Sequence, residues 1–223
     1  MRKCYMCDAE AVTREHVPPR CFFAKPYPSG MMTVPSCRAH NNDNSKDVEY
    51  VRNIIAVTDG VNDVGLAMYP TIERSLDRRP AFAQRIINAT SSVIWQGQEV
   101  GVITTEIGRF NSVMQAIAYA VYYKDFGSSY QHQWVIYHAT MRKHTEVMGK
   151  HDSLTEELQT MLRDADVVTK DTAHPEVFKY VCYPADAPNE HRLIYKFQFY
   201  EDIVVYALGL TLDELRAAES VNA

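Results

Sequence analysis

The chain lacks any apolar run long enough to cross a bilayer. Its longest candidate, Val113 to Tyr123 (VMQAIAYAVYY), is about half of the roughly 20 residues a spanning helix needs. It also lacks an apolar signal segment, since Cys4 follows directly on Met-Arg-Lys. A cytoplasmic location with no membrane partner is therefore the expectation. No internal period or low-complexity stretch appears, which sets aside repeat and fibrous architectures. Cysteine is scarce and odd in number, five in 223 residues. An odd count with clustered spacing and no export signal argues for metal binding rather than a disulfide framework.

A strong charge of one sign is missing as well. The net charge is -5, which by itself argues weakly against nucleic acid. The distribution is uneven, however. Residues 1–46 carry seven Lys and Arg against four Asp and Glu, so a mildly basic front stands on an acidic body. Such a front can meet a phosphate backbone locally.

A hydrophobic content of 46% is ordinary for a folded protein, and 223 residues suffice for a small module joined to a larger body. The first fifty residues are rich in Pro, Cys and Asn. They read as a strand over Ala11–His16, a long loop (PPRCFFAKPYPSG), a second strand over Met31–Pro35, then a helix from Ser45. The remainder alternates signals of both kinds. Helices are expected over Asn62–Arg78, Ala81–Ala89, around Phe110–Tyr122, and from Ser153 to about Asp164, where Ser153 and Glu156 form a capping box. Strands are expected over Trp134–His138 and Val177–Tyr183. Leu193–Tyr200 and Ile203–Leu208 read as a hairpin, and a short last helix opens at Thr211. The class predicted is α+β: a small N-terminal module (1–58) packed on a mixed α/β body (59–223) that shows no chemistry of its own.

Two hooks stand out. Cys4-x2-Cys7 and Cys37-x2-His40 are separated by 29 residues. A gap of two residues lets both side chains of a hook reach one ion, and two hooks complete a closed tetrahedral Cys3His site suited to structural Zn2+. Such a clamp explains how so short and polar a segment folds. Cys21 and Cys182 have no partner at hook spacing and read as ordinary buried thiols. Glu15-His16 lies between the hooks and is not needed for zinc. Neighbouring strand positions point to opposite faces unless the strand is distorted. This would let Glu15 bind a metal while His16 faces a water.

The sequence Cys-x2-Cys, Glu-His-Val-Pro-Pro, Val-Pro-x-Cys-x2-His-Asn and Ser-Lys-Asp resembles the HNH endonucleases, whose core is the ββα-metal fold. The resemblance covers Cys4 to about Tyr50 and is closest to bacterial and phage members that carry zinc hooks. It implies that His16 is the general base and that Glu15 and Asn41 bind a catalytic Mg2+ or Mn2+. It also implies that Cys4, Cys7, Cys37 and His40 hold the zinc, although the family usually has cysteine where His40 stands. His40 has an alternative role beside Glu15 at the catalytic ion. The family's middle asparagine, which orients the base, falls here on Gly30 or Met32. Arg14, Arg20, Lys25, Arg38 and Lys46 are candidate phosphate contacts.

The activity expected from this resemblance is metal-dependent cleavage of DNA, leaving 3′-hydroxyl and 5′-phosphate ends. One site cuts one strand, so a homodimer or two successive hits would be needed for a double-strand break. The alternatives are a zinc-held nucleic-acid-binding or regulatory protein with a decayed nuclease site, and a structural zinc module that mediates protein contacts.

Overall fold

The computed structural model describes residues 2–42, 45–95, 97–140, 153–164, 168–170, 172–184 and 193–210. The expected helix opening at Thr211 lies outside them. The described fold is mixed α+β.

The front begins with a two-stranded antiparallel hairpin, β1 (Thr13–His16) and β2 (Thr33–Ser36), in which Glu15 pairs with Val34 and His16 with Thr33. A 3-10 turn (Arg20–Phe22) lies in the connecting loop. Two helices follow, the short α1 (Arg38–Asn42) and then α2 (Ser45–Val57). Both strands start about two residues later than the periodicity suggested, and α2 begins at the expected Ser45.

The expected helix over Asn62–Arg78 is two helices, α3 (Asp63–Leu66) and α4 (Tyr69–Asp77). Pro70 explains the break. It has no N–H to donate, and its ring would clash with the carbonyl of Leu66 in a continuous helix. Next come α5 (Pro80–Asn88) and a hairpin absent from the sequence reading, β3 (Thr90–Trp95) with β4 (Gln98–Ile103).

The long helix α6 (Ile107–Phe126) carries the expected apolar stripe, with Phe110, Val113, Met114, Ile117 and Val121 buried. Gly127 ends it in the left-handed region (φ 72), and its N–H donates to the Tyr123 carbonyl at 2.9 Å. The remaining described elements are β5 (Gln133–Tyr137), α7 (Ser153–Asp164), β6 (Val168–Lys170), β7 (Phe178–Tyr183), β8 (Ile194–Phe199) and β9 (Ile203–Leu210). Strands β5 to β9 form one antiparallel sheet in the order β5-β9-β8-β7-β6. Burial alternates along β7 and β8, so Phe178, Tyr180, Cys182, Tyr195, Phe197 and Phe199 face one core. On β9 the alternation lapses at Tyr206, which packs with Tyr137, Leu158 and Leu162 in a smaller cluster.

The main core is continuous from Cys4 and Tyr5 through α2 and α6 to the sheet. Specific ties reinforce it. Tyr200 donates its hydroxyl to the Phe22 carbonyl at 2.5 Å, and the His174 ring donates to the Ser29 carbonyl at 2.8 Å. Arg109 of α6 pairs with Asp47 of α2 at 2.6 Å and lies 4.4 Å over the Tyr50 ring. The hairpin is thus held between α6 and the loops of the sheet.

A candidate metal centre and the cleft beside it

The two hooks meet. The Cys4, Cys7, Cys37 and His40 ligand atoms all lie within 4.8 Å of one another. Cys4 Sγ is 3.3 Å from His40 Nδ1, Cys37 Sγ is 3.5 Å from the same nitrogen, and the Cys7 and Cys37 sulfurs are 4.0 Å apart. A tetrahedral ion with Zn–S of about 2.3 Å and Zn–N of about 2.0 Å has edges of roughly 3.5–3.8 Å. The donor set and its spacing therefore fit a structural ion such as zinc, whereas sulfurs 4.0 Å apart are not bonded to each other. All five cysteines are free.

Local folding shapes both hooks and prepares the Cys37 thiol. The first hook is a tight loop closed by the Cys4 N–H to the Ala9 carbonyl at 2.9 Å and by a bridge between Lys3 and Glu10. The second hook opens α1. The amide of His40, aided by that of Ala39, hydrogen-bonds the Cys37 sulfur and holds its thiol below the ordinary cysteine value. Backbone N–H groups turned onto sulfur stabilise the thiolate that a metal needs.

Beside the cluster lies a cleft of ≈ 460 Å³ lined by residues including Glu15, His16, Arg14, Arg20, His40 and Asn41. Glu15 and His16 both line it, although they are neighbours on a strand. Burial raises the Glu15 carboxyl from its ordinary 4.5 to about 7, against the opposing effect of the His16 backbone N–H. Burial lowers the His16 imidazole, and the nearby Arg20 and Arg14 charges lower it further. The ring is therefore held neutral, the form that accepts a proton. Asn41 donates its amide N–H to the Thr13 hydroxyl at 2.7 Å. That bond occupies the nitrogen side of the amide and leaves the oxygen for another partner.

Of the five candidate phosphate contacts, Arg14 and Arg20 line the cleft. Arg14 is braced by two hydrogen bonds to the Thr33 hydroxyl at 2.8 and 2.5 Å. The Arg20 guanidinium sits 4.8 Å from the centre of the Tyr27 ring, with Lys25 Nζ 5.6 Å from the same ring. Arg38 and Lys46 are exposed on α1 and α2 and do not line the cleft. Gly30, Met32 and Ser29 do not line it either, and no side chain among the described residues hydrogen-bonds the His16 ring.

Several cleft residues escaped the sequence reading. Tyr5, Tyr27 and Ser45 line it, and α6 contributes Val113, Ala116, Ile117 and Ala120. Thr13, which holds Asn41 without lining the cleft itself, carried a usable signal, since it lies two residues before Glu15 on the same strand. The α6 residues carried none, because core packing accounts equally well for an apolar helical stripe. Cys21, read as a buried thiol, is half-buried and lines the cleft, its thiol pushed up to about 11 by burial. Cys182 is fully buried in β7, where burial pushes it up to about 12.

No family model matches the chain, and no curated protein or solved structure matches it. The resemblance to HNH proteins therefore rests on the motif residues and their arrangement. Among the described residues no helix is long and apolar enough to cross a membrane.

Proposed function

We propose that the chain is a metal-dependent HNH-type endonuclease that hydrolyses phosphodiester bonds in DNA. The observation that carries this reading is the convergence of Glu15, His16 and Asn41 on one cleft with Arg14 and Arg20. The strand, strand, helix order around the Cys3His cluster supports it further.

The chemistry follows from the residues. Arg14 and Arg20 attract the phosphate and fix its position. His16, neutral near pH 7, takes a proton from the water that attacks phosphorus. The bond to the 3′ oxygen breaks and the leaving oxygen takes a proton from solvent water, giving a 3′-hydroxyl and a 5′-phosphate. A Mg2+ or Mn2+ held by the oxygens of Glu15 and Asn41 would stabilise the charge on the phosphate and the leaving oxygen. A Zn2+ held by Cys4, Cys7, Cys37 and His40 would have no open position and would serve the fold.

The competing reading is a zinc-held DNA-binding protein whose nuclease has decayed. It draws on the His16 ring, which no side chain among the described residues orients. Plasmid nicking with Mg2+, Mn2+ or Ni2+ against a chelator control separates the two. The nuclease reading expects metal-dependent nicking that falls by about 10²–10⁴-fold in His16→Ala while DNA binding persists. Binding without nicking under any metal, with zinc and fold intact, selects the binding protein.

A further inference from the structure

Tyr5 sits inside the first hook, between Cys4 and Cys7. It is 1% exposed, yet it lines the cleft that Glu15 and His16 share. Its backbone N–H donates to the Pro35 carbonyl at 2.9 Å, which ties it to β2. Its ring centre lies 6.5 Å from that of His40, tilted by 59°. The ring is therefore packed among the elements of the metal cluster, and that cluster determines where the hydroxyl stands.

Tyr5 and Tyr206 each lack a hydrogen-bond partner for the hydroxyl among the described residues, and of the two only Tyr5 lines the cleft. Tyr180 and Tyr195 donate to Asp125 at 2.9 and 3.1 Å. Tyr200 donates to the Phe22 carbonyl, and Tyr50 accepts the Glu106 N–H at 2.7 Å. The Tyr5 hydroxyl has no hydrogen-bond partner among the described residues, and it is not among the atoms sealed away from solvent. A buried phenol ordinarily finds a partner. One that is packed rigidly, lacks a protein partner and borders a cleft is a donor kept for whatever enters.

The cleft also carries Arg14 and Arg20, which recruit an anion. We propose that Tyr5 is a further residue of this site. Its phenol O–H donates to a non-bridging oxygen of the phosphate whose hydrolysis Glu15, His16 and Asn41 serve. This rests on the endonuclease reading and adds to it a neutral donor supplied by the zinc hook. Negative charge grows on those oxygens as the water attacks, so the bond strengthens in the transition state. The Cys3His cluster thereby bears on the rate by holding one donor in place.

The test is Tyr5→Phe in the full chain, which keeps the ring and removes the donor. Steady-state nicking with Mn2+ should show kcat reduced by about tenfold or more and KM within about twofold of wild type. Zinc content and Tm should match wild type. An unchanged kcat overturns the proposal. So does a fall that comes with lost zinc or a lowered Tm, since that marks a structural role. If wild type nicks in a His16-dependent way and Tyr5→Phe nicks equally well, the endonuclease reading stands and only Tyr5 falls. If wild type nicks with no metal, both fall together.

Discussion

The sulfur-lined cluster and the oxygen-lined cleft share one small hairpin and are built on opposite plans. In the cluster, four ligand atoms lie within 4.8 Å of one another, two of their residues are buried, and backbone amides turn onto sulfur. In the cleft, a carboxylate, an imidazole and an amide line ≈ 460 Å³ of open space, and arginines line it with them. A closed set of soft ligands puts its binding energy into folding. An open set of oxygen and nitrogen groups leaves room for a substrate and pays for that in stability, as the raised Glu15 carboxyl records. The two plans depend on each other. His40 belongs to the cluster by its distances and also lines the cleft, while Asn41, the next residue, faces the cleft from the same short helix.

The largest effect should come from breaking the closed site. Cys4→Ser or Cys37→Ser should lose about one zinc per chain and unfold the hairpin, since apparent binding energies of structural zinc reach about 10–16 kcal/mol. Metal analysis together with circular dichroism would check this, and retention of zinc by either variant would count against the cluster as a metal site.

A smaller and more selective effect is expected in the open site. Asn41→Ala, or Thr13→Val acting through Asn41, should weaken Mn2+ binding by about 10–100-fold and leave zinc unchanged. His40→Ala should do the reverse. A calorimetric titration on protein of known zinc content distinguishes them. If His40→Ala keeps its zinc and loses only Mn2+, the residue belongs to the other site.

The mildest change is one of pH. Glu15 titrates at about 7 rather than its ordinary 4.5. Between those values the folded chain keeps a proton that the unfolded chain has released, so the cost of charging Glu15 appears as pH rises through this window. A cation bound by Glu15, as proposed, would have to displace the same proton. Mn2+ affinity should therefore climb by about tenfold per unit up to roughly pH 7 and then level off. Glu15→Gln should flatten the profile. A slope that survives in Glu15→Gln would assign the proton to another group.

How much of this was legible in the sequence depends on the range of the interaction. The hooks were readable because two-residue spacing encodes metal geometry locally, and α6 was readable because its apolar stripe repeats with the helical turn. Glu15 and His16 were readable as a pair, but alternation along a strand assigns them opposite faces, and the two line one cleft. The split at Pro70 was present as a residue and outweighed by the periodicity around it. The β3–β4 hairpin was missed because Thr90 to Ile103 alternates weakly, with serines and Gly101 interrupting the apolar positions. The Asn41 bond to Thr13 joins residues 28 apart in sequence, and the α6 side of the cleft lies farther still, so neither had a local signature.

That side has a consequence for engineering. Val113, Ala116, Ile117 and Ala120 line the same space as Glu15 and His16. A fusion carrying only residues 1–58 would bring Glu15, His16 and Asn41 but arrive with that side of the cleft open to water. The proposed catalytic residues all fall within the first 41 positions, yet the enclosure around them does not. Transplanting the cleft, and with it the proposed cutting function, would therefore require carrying α6 along, or designing a helix of similar side chains to stand in its place.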